Sequence, residues 1–269
     1  MNDKTKLMYI VAAIVVIIAL AVILLWTNGR DEQGQITNRQ MLETNNQTAV
    51  SVENNVQYFE GANGYFVRPE ASGTYPGVIM IHENRGLRPE IRDTAQQLAK
   101  EGYLVLAVDL LGRQVETQDE ARALTADFDQ AKGIENMKAA AAFLRERGAT
   151  KIASLGWCFG GAQSLQLALS GQALDATVIY YGRLATTTSA LTPIKWPVLG
   201  IFAGDDQSIS VESVEQFRTA LNSLGVQNEI YIYPGVGHAF ANPSGMSYAP
   251  NETRDAWEKT RNFLNEKLK

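Results

Sequence analysis

Ile152-Ala153-Ser154-Leu155-Gly156-Trp157-Cys158-Phe159-Gly160-Gly161 is the stretch from which the rest of this chain is read. A short apolar run breaks off at G-x-C-x-G-G, and a helical pattern with Ala162, Leu165, Leu167 and Leu169 follows at once. Strand, tight turn and helix together have the form of a nucleophile elbow, with cysteine at the apex where serine is commoner. The apex of such a turn has a strained backbone. Gly156 and Gly160, two before and two after it, therefore mark positions where a side chain would collide. The following helix aims backbone N–H groups and its positive dipole end at the sulfur, and both favour a thiolate. The competing reading is a buried structural cysteine beside a glycine-rich strand end, since free cysteine is also a small core residue.

The chain has 269 residues, 45% hydrophobic and 20% charged, enough for one large α/β domain with a sizeable core or for two small ones. Its net charge is −5 and it has no basic block, which argues against a nucleic-acid partner. A single cysteine excludes an intramolecular disulfide and a Cys-based structural zinc site. No nucleotide motif and no metal-ligand cluster is legible, so no cofactor or metal is expected. With only His82 and His238 present, any histidine-dependent chemistry must use one of these two.

Residues 7–26 form an uninterrupted apolar run without charge, Pro or Gly, long enough to cross a hydrocarbon core as a helix. Lys4 and Lys6 precede it, which predicts a cytoplasmic N-terminus over 1–6 and the rest of the chain outside the cytoplasm, periplasmic or extracellular. Ala19-Leu20-Ala21 also fits a signal-peptide cleavage site, but apolar residues continue beyond it, which favours an uncleaved single-pass anchor. Residues 27–51, rich in Asn, Gln and Thr, read as a flexible tether, leaving 52–269 as the folded domain.

Within that domain, the segments around Val56 and Phe66 flank Ala62-Asn63-Gly64 and read as an antiparallel hairpin turning at Asn-Gly. Continuous apolar runs follow at Val78–Ile81, Leu104–Val108, Ile152–Trp157, Val178–Tyr181, Val198–Ala203 and Ile230–Tyr233, alternating with helical patterns. That alternation predicts one mainly parallel sheet with helices on both faces.

In such a sheet, ligands bind outside the carboxyl ends of the strands. Cys158 lies at one such end. Asp205 and Asp206 follow a second, and His238 follows the last. A thiol nucleophile needs a base to take its proton and a carboxylate to orient that base. The chain order nucleophile, acid, histidine is that of the α/β-hydrolases. Of the two aspartates, Asp206 stands three residues before the aliphatic Ile209 and is the expected acid, with Asp205 solvated. His82, at the end of a buried strand, reads as a structural histidine. The loop His82-Glu83-Asn84-Arg85-Gly86 is placed to offer the Asn84 backbone N–H as one oxyanion donor, with Phe159 N–H as the other. Glu83 would point toward the thiol; the alternative is a helix N-terminal acid paired with Arg85 or Arg88.

These pieces together resemble the dienelactone hydrolase family of α/β-hydrolases, over the chain from about Val56 onward. The resemblance rests on Glu83-x-x-Gly86, Asp109-Leu110-x-x-Arg113, Gly156-x-Cys158-x-Gly160-Gly161, Tyr180-Tyr181-Gly182, Asp206 and Gly237-His238-x-Phe240. It implies a Cys158–His238–Asp206 triad working through a thioester, with Glu83 holding the resting thiol until substrate displaces it. It further implies that Arg113, with Tyr181, contacts an acidic lactone or ester. Asn242 stands where the best-known branch has an arginine, and Arg85 introduces a cation nearby. The resulting expectation is a membrane-tethered ester or lactone hydrolase. The alternatives are a general esterase or thioesterase on a neutral substrate, and a non-catalytic binding module.

Overall fold

The computed structural model describes residues 49–269. In chain order the elements are β1 (Val50–Phe59), β2 (Ala62–Pro69), β3 (Gly77–Ile81), α1 (Pro89–Lys100), β4 (Leu104–Val108), α2 (Gln118–Ala126), α3 (Gln130–Glu146) and β5 (Ile152–Trp157). Then come α4 (Phe159–Leu169), β6 (Ala176–Tyr180), α5 (Thr188–Leu191), β7 (Val198–Ala203), α6 (Val211–Ser223), β8 (Asn228–Tyr233) and α7 (Pro250–Leu268). The strands form one eight-stranded sheet in the order β1-β2-β4-β3-β5-β6-β7-β8. Strands β1, β2 and β4 pair antiparallel in sequence, and every later pair is parallel.

The continuous apolar runs become β3 to β7, each buried along its whole length, because helices cover both faces of a parallel sheet. One face packs Ile91, Ala95 and Leu98 of α1 and Ala256, Phe263 and Leu264 of α7 against the sheet. The other packs Met137 and Leu144 of α3, Leu165 of α4, and Val214, Phe217 and Leu221 of α6. Strand β3 sits between β4 and β5, so the chain winds outward in both directions from it. The crevice at that reversal opens beyond the carboxyl ends of β3 and β5.

The hairpin turns elsewhere than expected. Phe59 pairs with Ala62, so the two-residue turn is Glu60-Gly61, with Gly61 at φ +76°; Asn63 instead pairs with Gln57 inside the ladder. Gly64 has a packing reason: a Cβ there would come within 2.7 Å of Leu106 Cδ1. Strand β1 also begins at Val50, inside the stretch read as tether, because Val50 and Ser51 pair with Pro69 and Arg68. No helix among the described residues is long and apolar enough to cross a membrane. The run 7–26 lies outside the described residues.

Candidate active site

The elbow has the backbone its glycine spacing requires. Cys158 adopts φ 52°, ψ −113°, and its N–H donates to Tyr180 O at 3.0 Å. A Cβ on Gly156 would lie 2.2 Å from Gly160 O, and one on Gly160 would lie 2.3 Å from Ile81 O. The second contact is with the end of β3, so Gly160 lets the turn press against the neighbouring strand. Beneath the elbow, Ser164 Oγ donates to Ser154 Oγ at 2.8 Å, tying α4 to β5 where no water reaches. Four non-glycine residues among those described have positive φ, and three of them, Cys158, Tyr181 and Ala239, line one cleft. Backbone strain of this kind, costing about 1–3 kcal/mol per residue, gathers where a site's geometry demands it.

That cleft has a volume of about 1220 Å³ and opens beyond the carboxyl ends of the strands. His238, in the loop after β8, bridges two groups in it. Its Nε2 is 3.1 Å from Cys158 Sγ and its Nδ1 is 2.7 Å from Asp206 Oδ2. Asp206, after β7, is buried, and its Oδ1 accepts the Ser208 and Ile209 N–H groups at 2.7 and 3.1 Å. Burial opposes ionisation of Asp206, but His238 and these amides outweigh it and hold the carboxyl below its usual range. Burial likewise opposes charge on His238, yet Asp206 and the Cys158 sulfur together lift it to about 10. The arrangement can hold a proton on the imidazole between sulfur and carboxylate. Asp205, its neighbour in sequence, is exposed.

His82 is wholly buried, and both its ring nitrogens are engaged by backbone. Leu110 N–H donates to Nε2 at 3.1 Å, so the ring proton is on Nδ1 and is donated to Glu83 O at 2.6 Å. Neither nitrogen is left for a substrate.

Glu83 lies in the cleft wall, but not on the thiol. Tyr181 hydroxyl donates to its Oε1 at 3.3 Å, and Asn242 Nδ2 donates to its Oε2. The resting Glu83–Cys158 contact implied by the family resemblance is therefore not the one made here; the sulfur faces His238. Nor does Glu83 pair with Arg85 or Arg88. Arg88 instead faces Glu90 at 3.4 Å and Glu116 at 3.1 Å. Burial raises the Glu83 carboxyl to about 7, against the lowering effect of the Asn242 and Tyr181 hydrogen bonds. The Tyr181 ring also meets His238 edge to face at 5.3 Å.

Asn84, Arg85 and Phe159 line the same cleft. Phe159 is the first residue of α4, so its N–H has no acceptor within the helix. Arg113 is not in the lining. Its side chain is exposed, and its carbonyl lies over Gly86, where a Cβ would come within 2.3 Å. The loop is held that way because buried Val115 donates its N–H to Arg85 O at 3.2 Å and accepts from Arg88 Nη1. The cations that do line the cleft beside Arg85 are Arg122 and Arg183, which sequence reasoning missed. Arg122 rides on α2, a helix with a Thr117–Glu120 capping box and only Ala121 buried. Its polar pattern signalled an exposed helix, but nothing local told which face would meet the cleft. Glu83 is the only acidic residue among the described lining residues, although the chain as a whole is acidic. Among the described residues no group of three or more His, Cys, Asp or Glu is placed to hold a metal.

The profile of the Dienelactone hydrolase family matches residues 62–268. A protein of Salmonella typhi provisionally named carboxymethylenebutenolidase is 33% identical over 213 residues, covering 72% of this chain and 79% of the relative. Among solved structures, a provisionally assigned dienelactone hydrolase from Klebsiella pneumoniae superposes with TM-score 0.72 at 27% identity, covering 81% of this chain and 98% of that one. A dienelactone hydrolase-like promiscuous phosphotriesterase from metagenomic libraries gives TM-score 0.75 at 26% identity, covering 82% and 100%. The eight-stranded, mainly parallel sheet and its helices are those of an α/β-hydrolase, and the chain is a hydrolase of the dienelactone hydrolase family.

Proposed function

We propose that this chain hydrolyses small anionic carboxylic esters or lactones through a thioester on Cys158. The observation that carries the reading is His238, spanning Sγ at 3.1 Å and the Asp206 carboxylate at 2.7 Å. The proton that His238 Nε2 shares with the thiol stays on the imidazole as sulfur attacks the ester carbonyl. The backbone N–H groups of Phe159 and Asn84 receive the negative oxygen. As the C–O bond breaks, the imidazolium returns its proton to the departing alkoxide, which in a lactone stays attached to the acyl group. His238 then deprotonates water, which attacks the thioester and releases the acid and the thiol. Asp206 holds the imidazole and stabilises its charged form throughout.

Arg85, Arg122 and Arg183 supply the positive lining that an anionic substrate requires. Tyr181 packs against the imidazole. Glu83 gates the thiol through charge, since its ionisation near neutral pH adds a carboxylate beside His238. The apolar run 7–26 would anchor the enzyme, with its hydrolase domain outside the cytoplasm.

The test is full-length protein in detergent, supplied with paired chromogenic esters that differ only by one carboxylate. Acid-quenched turnover should leave the acyl group on the Cys158 peptide by mass spectrometry, and the anionic ester should have the lower KM. Acyl transfer elsewhere, or undiminished turnover in Cys158→Ala, defeats the mechanism. Equal KM values defeat the anionic preference alone.

A further inference from the structure

A second cavity of about 410 Å³ lies against the cleft. Glu83, Tyr181 and Asn242 line both spaces, so a layer of side chains divides them. The second space is walled by aromatic and apolar groups, Trp157 and Tyr180 from the strand ends, Ile91 from α1, and Tyr248, Pro250 and Trp257 around the start of α7. Its charged groups already have protein partners. Glu83 accepts from Tyr181 and Asn242. Glu90 accepts from Ser244 Oγ at 2.8 Å and faces Arg88, while Arg254 donates to Asn251 at 2.7 Å. Among the described lining residues, the indole N–H groups of Trp157 and Trp257, the Gln97 amide and the Tyr248 hydroxyl donate to no protein acceptor. The third described tryptophan, Trp196, partly buried, donates to Thr177 at 2.8 Å.

We propose that this cavity binds a small neutral aromatic molecule bearing a carbonyl or ether oxygen. The rings of Trp157, Tyr248 and Trp257 take its body, and an indole N–H takes its oxygen. Glu83 and Glu90 would repel an anion, and both carboxylates are already engaged, by Tyr181 and Asn242 and by Ser244 and Arg88, so neither is free for a cation. The size, and a wall of aromatic and apolar groups interspersed with polar ones, are those of a small-molecule pocket. The occupant touches the far side of the Glu83–Tyr181–Asn242 partition, and the site does not depend on the thioester mechanism.

The probe is 4-fluoroacetophenone, titrated into the full chain and followed by ¹⁹F NMR. Saturable binding is expected, with Kd on the order of 1 mM for so few atoms. Thr125→Trp, which crowds only the catalytic cleft, should leave that Kd within about twofold, well under the tenfold that 1.4 kcal/mol represents. Gln97→Phe, at an exposed position on the second cavity's rim, and Trp257→Leu should each weaken binding roughly tenfold or more. If Trp257→Leu fails to fold, Gln97→Phe decides. Absence of saturable binding, affinity in Gln97→Phe equal to wild type, or loss of binding in Thr125→Trp overturns the proposal.

Discussion

His82 and His238 stand beyond the carboxyl ends of two strands of one sheet, β3 and β8, and their surroundings are opposite. At the end of β3 the imidazole is sealed from solvent, two backbone groups take both nitrogens, and the Asp109 carboxylate lies 3.7 Å from Nε2. At the end of β8 the ring is 31% exposed, and its nitrogens meet a thiol and a carboxylate. Residue type is the same. The difference is whether a ring nitrogen is left facing a group that changes protonation during reaction.

The largest expected break in this comparison is Cys158→Ala, which removes the group His238 serves. Turnover of chromogenic esters should fall below detection, with the melting temperature within a few degrees of wild type. Next is His238→Ala, expected to lower kcat by roughly 10²–10⁴, the range for a positioned general base. His82→Ala should act on the fold instead. It leaves a cavity and unpaired backbone groups, costing about 2–4 kcal/mol in denaturant unfolding. Activity per folded molecule should stay within about tenfold of wild type, as for a residue outside the proton path. Equal kcat losses at both histidines would erase the contrast.

A smaller effect sharpens the cleft's charge. Arg122→Ala with Arg183→Ala should raise KM for an anionic ester roughly tenfold over its neutral twin, about 1.4 kcal/mol. Arg113→Ala should not discriminate between the two.

The smallest effects are in pH dependence, where the two ends of the sheet share a sign and differ in window. His238 is raised from 6.5 to about 10, so its protonation stabilises the fold fully below pH 6.5 and that contribution is lost as pH rises through 10. Glu83, a carboxyl raised from 4.5 to about 7, binds its proton more tightly when folded, so wild-type stability falls from pH 4.5 through 7 relative to Glu83→Gln. Urea titrations across that window check the sign. The alkylation rate of Cys158 should also lose its inflection near pH 7 in Glu83→Gln.

Much of the local architecture was legible because its causes are short-range. The spacing Gly156-x-Cys158-x-Gly160 reflects a turn with no room for a Cβ at either flank, and the contacts of 2.2 and 2.3 Å bear that out. Continuous apolar runs became buried parallel strands because both faces are covered. Asn63-Gly64 misled, since an Asn-Gly pair marks a turn unless a neighbouring strand needs the space, and Leu106 does.

By itself, the sequence determined the elbow, the alternation of strands and helices, and the order of Cys158, Asp206 and His238 along strand ends, all consequences of backbone geometry and hydrophobic period. Only the tertiary structure decided which cations face the cleft, that Asn242 and Tyr181 hold Glu83, and that a second aromatic cavity lies behind them. Those outcomes depend on the directions of long side chains from loops whose course is set by distant contacts. Val115 turns Arg113 away, and α2 brings the exposed Arg122 to the edge of the cleft. No periodicity within a loop encodes a partner that the fold brings from elsewhere in the chain.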